Sequence, residues 1–131
     1  MKKRVEEWVN FAIKDLNSAK KLSEDPSLNQ NAAFHCQQAL EKILKAVIES
    51  CRSNTPRIHD LEKLYGIILE IGFQIKIDEN ILAEINDVYI ETRYPPDLGL
   101  MPNGIPSEAT IRKFIDEIEA TIEQAKNNID K

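Results

Sequence analysis

A chain of 131 residues is the size of one domain and can bury a core without disulfide or metal staples. With 30% charged residues and only four glycines, its composition fits helices better than a turn-rich β protein. The net charge of −5 excludes a global attraction for nucleic acid or an anionic membrane, so any phosphate site must be a local basic cluster.

The first helix is predicted from about Lys3 to Glu24, with Val5, Trp8, Val9, Ala12, Leu16, Ala19 and Leu22 at helical spacing. Asp25-Pro26-Ser27 breaks it, because proline disfavours helical geometry in the residue before it. A second helix starts near Asn29–Asn31, where asparagine can cap orphan amides, and runs to about Cys51. Ala33, Cys36, Leu40, Ile43, Leu44 and Val47 mark its buried face. Opposite lie His35, Gln37, Gln38, Glu41, Lys42 and Lys45, amides and charges that call for partners.

Ser53-Asn54-Thr55-Pro56 is the next joint, followed by a third helix through Leu61, Leu64, Tyr65 and Ile68 that stops near Gly72. Residues 73–77 alternate like a strand but have no partner strand, so they read as an extended connection. Asp78 caps a fourth helix that buries Ile81, Leu82, Ile85, Val88 and Tyr89. The stretch RYPPDLGLMPNGIP holds four of the six prolines, which rules out regular helix, yet it is apolar enough to pack as a functional loop. Ser107 caps the last helix, which places Ile111, Phe114, Ile115, Ile118, Ile122, Ala125 and Ile129 on one face. The expectation is a single all-α domain over 1–131. It is a five-helix, mostly antiparallel up-and-down bundle with a Pro-rich loop before the last helix.

No run approaches the roughly 18–20 apolar residues that span a bilayer, and MKKRVEEW has no apolar signal core. Both point to the cytoplasm and to no membrane partner. Cys36 and Cys51 read as small hydrophobes, because neither a disulfide framework nor a zinc site has enough thiols or paired His/Cys. No metal or other cofactor is expected. There is no glycine-rich phosphate loop and no Ser-His-Asp arrangement.

Several elements together carry a resemblance: Trp8…Ala12…Asp15-Leu16…Ala19, then AFHCQQA with Glu41-Lys42…Leu44-Lys45-Ala46, then His59-Asp60-Leu61…Leu64, then Tyr89…Arg93-Tyr94-Pro95. In this order and over nearly the whole chain, the sequence resembles the HEPN domain. That resemblance implies a five-helix bundle, commonly a homodimer. Such proteins often work beside a minimal nucleotidyltransferase, in two-component systems that include toxin–antitoxin pairs. It also brings nucleotide binding as a proposed activity, and several branches of the wider superfamily are metal-independent ribonucleases.

Two site readings follow. In the first, the chain is non-catalytic and binds a nucleotide or a nucleotidyltransferase partner in a groove formed by His35, Gln38, Lys42, Tyr89, Arg93 and Tyr94. There an arginine can clamp phosphate while an aromatic ring stacks on a base. For His35 the residues favour a hydrogen-bonded core or interface role, whereas Arg93 can equally pin the loop to the bundle. In the second, Arg52 and His59, with six residues between them, match the Arg–His spacing of the ribonuclease branches. Histidine would then exchange protons with RNA and arginine would hold the phosphate. A purely structural helical interaction module is the third alternative.

Overall fold

The computed structural model describes residues 1–52, 54–91 and 104–131, with only the backbone described at 89–91. Its helices are α1 (Lys3–Leu22), α2 (Asn29–Cys51), α3 (Leu61–Ile71), α4 (Glu79–Glu91) and α5 (Glu108–Asn128), and the described residues contain no strand. The architecture is the all-α bundle that the apolar spacing predicts.

Helix ends follow local chemistry. Asp60 accepts from the amides of Glu62 and Lys63 and so is the N-cap of α3. Asp78 accepts from Asn80 and Ile81, and Ser107 from Thr110, as their side chains predict. Gly72, at φ 84°, ends α3. Its amide reaches Leu69 and that of Phe73 reaches Ile68, a Schellman closure that only a left-handed residue permits cheaply. The expected asparagine cap on α2 is not what forms. A 3-10 turn, Pro26–Leu28, capped by Asp25, runs straight into the helix and supplies the carbonyl for the Asn29 amide. The Asn29 side chain, released from capping, donates instead to the Pro106 carbonyl.

The α2 helix is central and packs against each of the other four helices. Leu40, Ile43, Leu44, Val47 and Ile48 are fully buried, and they meet Leu61, Leu64 and Ile68 of α3, Ile85 of α4, and Ile111, Phe114 and Ile118 of α5 in one core. Each such side chain contributes about 1.5–3 kcal/mol by leaving water. The pairing of α1 with α2 is antiparallel: Arg4 and Trp8 reach Glu49, whereas Asp15 reaches Lys42 and His35.

Residues 73–78 form the extended connection that the alternation predicts. Side chains of α5 take the place of a partner strand. Gln124 accepts from the Lys76 amide at 2.8 Å and donates to its carbonyl at 2.9 Å, while Asn128 donates to the Gln74 carbonyl. Ile75 and Ile77 are thereby held in the core.

Candidate functional site

The polar face of α2 divides into two rows. Gln37, Glu41, Lys45 and Glu49 stand four residues apart, which places them on one ridge of the helix. All four are buried, at most 7% exposed. The sequence marks Gln37, Glu41 and Lys45 as groups that call for partners, and α1 and the α2–α3 connection supply partners to this ridge through Trp8, Arg4, Thr55 and His59.

Its charges are paired throughout. Glu41 takes Lys45 Nζ at 3.1 Å, His59 Nδ1 at 3.1 Å and Gln37 Nε2 at 3.3 Å. Four residues on, Glu49 accepts from the Trp8 indole N–H at 2.7 Å, from Thr55 Oγ1 at 2.6 Å and from Arg4 Nε at 2.6 Å. The Lys45 ammonium also lies 5.9 Å from the Trp8 ring. Removing an ion from water costs several kcal/mol, and a buried pair offsets that only when its remaining hydrogen-bonding capacity is filled. These two carboxylates meet that condition with three donors each.

The second row, His35, Gln38 and Lys42, lies nearer solvent. Asp15 of α1 accepts from His35 Nδ1 at 2.9 Å through one oxygen and from Lys42 Nζ at 2.5 Å through the other. The carboxylate fixes the imidazole proton on Nδ1. Gln38 turns toward the buried row and donates to Gln37 at 2.6 Å. Beside this cluster Phe11 is 51% exposed, with the Lys42 and Lys14 ammonium groups 5.6 Å and 5.8 Å from its ring centroid. A cavity of about 170 Å³ continues along α1 between Arg4, Glu7, Trp8 and Phe11.

Of the predicted groove residues, His35 and Lys42 therefore meet on one carboxylate, whereas Gln38 is bonded to Gln37 of the buried row. Tyr89 belongs to α4 by its backbone, but its side chain, like Arg93 and Tyr94, lies outside the described residues. Arg52 is exposed and caps the end of α2. His59 is tied to Glu41, eleven residues or roughly 16 Å earlier along that helix. Sequence reasoning missed Phe11, the central role of Asp15, and Glu49. The four-residue recurrence of polar groups at 37, 41, 45 and 49 was the signal for the buried ridge.

Cys36 has no nucleophilic character, since burial pushes its thiol up to about 12. Among the described residues no cluster of His, Cys, Asp and Glu could hold a metal ion. Nor is any helix there long and apolar enough to cross a membrane.

The described residues thus form a bundle of five helices, the first two joined by the Arg4–Glu49 and Asp15–Lys42 ion pairs. The chain belongs to the HEPN family, whose HEPN domain model matches residues 5–129. No curated protein and no solved structure matches the chain.

Proposed function

We propose that this chain is a non-catalytic HEPN protein that dimerises and binds a nucleotide, a minimal nucleotidyltransferase partner, or both, in a two-component, toxin–antitoxin-like system. The observation that carries this reading is the exposed Phe11 ring with two lysine ammonium groups near its centroid, beside the Asp15–His35–Lys42 cluster. An aromatic face can stack on a base while adjacent cations meet phosphate. Arg52 stands at the end of α2, roughly 16 Å along the helix from the Glu41 that holds His59, which favours binding over acid–base chemistry by that pair.

The test pairs calorimetric titration of ATP into the purified protein with an RNA cleavage assay. Saturable ATP binding without cleavage is the expected result. Cleavage that disappears in a folded His59→Ala variant would establish the ribonuclease alternative instead. The dimer is checked by sedimentation, and the partner by co-purification with the product of the neighbouring reading frame.

A further inference from the structure

We propose that Asp15 is an internal competitor for the ligand, a carboxylate that holds His35 and Lys42 until a polyphosphate takes them over. The inference rests on the binding reading above and adds selectivity to it. Asp15 spends both oxygens on these two groups. Its side chain is 13% exposed, whereas those of His35 and Lys42 are 32% and 26% exposed. The carboxylate thus lies inside and its donors lie outside, so the donors can turn to an external anion by side-chain rotation alone.

Lys42 is also shared with the Phe11 ring. A base that stacks on this ring displaces an ammonium, which becomes free for phosphate. Each partner in the unliganded state is thus a stand-in for part of the ligand: the Asp15 carboxylate for phosphate, and the lysines for the base on the ring.

The competition sets a threshold. Asp15 carries one negative charge and is already positioned, so it loses little entropy in holding its partners. A free monocarboxylate offers the same charge and must be immobilised, so it cannot displace Asp15. A phosphate group offers about −1.5 to −2 charges and more acceptor oxygens, and a chain of phosphates can engage His35, Lys42 and Lys14 together. The favoured ligand class is a polyphosphate attached to a planar base.

The experiment titrates ATP, inorganic tripolyphosphate and acetate into wild type and Asp15→Asn. The substitution keeps the shape and removes the charge. Asp15→Asn is expected to bind ATP and tripolyphosphate roughly fivefold or more tightly than wild type, with acetate binding neither protein. Equal or weaker binding of both polyphosphates by Asp15→Asn, while wild type still binds ATP, overturns the competitor and leaves the binding reading intact. Failure of both proteins to bind ATP overturns both. If Asp15→Asn does not fold, the His35 ring nitrogens are followed by NMR in wild type. A Nδ1 resonance that moves at saturating ATP supports the exchange, and an unchanged resonance refutes it.

Discussion

His59, at the end of the α2–α3 connection, rests its Nδ1 against the Glu41 carboxylate of α2 at 3.1 Å. This contact brings the connection back onto the middle of the helix that it leaves. It also supplies the third donor to a carboxylate already bonded to Lys45 and Gln37. The histidine that best matched a catalytic spacing is thus part of the device that makes a buried charge tolerable.

Glu41→Ala should cost about 3–5 kcal/mol in urea unfolding, because Lys45 would remain buried without its counter-ion. Replacing both, as Glu41→Leu with Lys45→Leu, should return stability to within about 1 kcal/mol of wild type or above it. A double variant no more stable than Glu41→Ala would show that the pair is not the unit.

Glu49→Ala should destabilise more than Trp8→Phe. The carboxylate serves Trp8, Thr55 and Arg4 together, whereas loss of the indole N–H leaves it with two donors. The expected costs are roughly 2 kcal/mol or more for the first and about 1 kcal/mol for the second. Trp8 is the single tryptophan, so its fluorescence reports this seam during the same unfolding experiment.

Cys51 is exposed and Cys36 is buried, so a thiol reagent at pH 8 should label one group quickly and the second only after unfolding. The raised pKa of Cys36 also has a sign. The folded chain keeps a proton that the unfolded chain releases above about pH 8.5–9. This contribution to stability is therefore present below that pH and is lost as pH rises toward about 12. The slope from this group is at most about 1.4 kcal/mol per pH unit. Cys36→Ala should flatten alkaline destabilisation by that amount.

Apolar periodicity made the bundle legible because burial of Leu, Ile and Val repeats with the helix itself. The α5 face from Ile111 to Ile129 and the Gly72 stop needed no knowledge of distant residues. Glu41, Lys45 and Glu49 were harder, since a charged side chain reads as solvent-facing until its partner is known. Glu41 and Lys45 pair within α2, but the groups that cover the two glutamates include residues far off in sequence: Trp8 is 41 residues from Glu49, and His59 is 18 from Glu41. Phe11 was missed because it stands outside the apolar spacing of α1, where no local pattern marks it.

The most direct test of the proposed binding face is an ATP titration followed by Trp8 fluorescence, comparing wild type with Phe11→Ala. Trp8 and Phe11 line the same cavity, so a ligand stacked on the phenyl ring changes the indole's surroundings. The account predicts a saturable change in wild type and at least a tenfold weaker response in Phe11→Ala, about 1.4 kcal/mol of stacking. A saturable response of equal affinity in both proteins, or none in wild type, would contradict it.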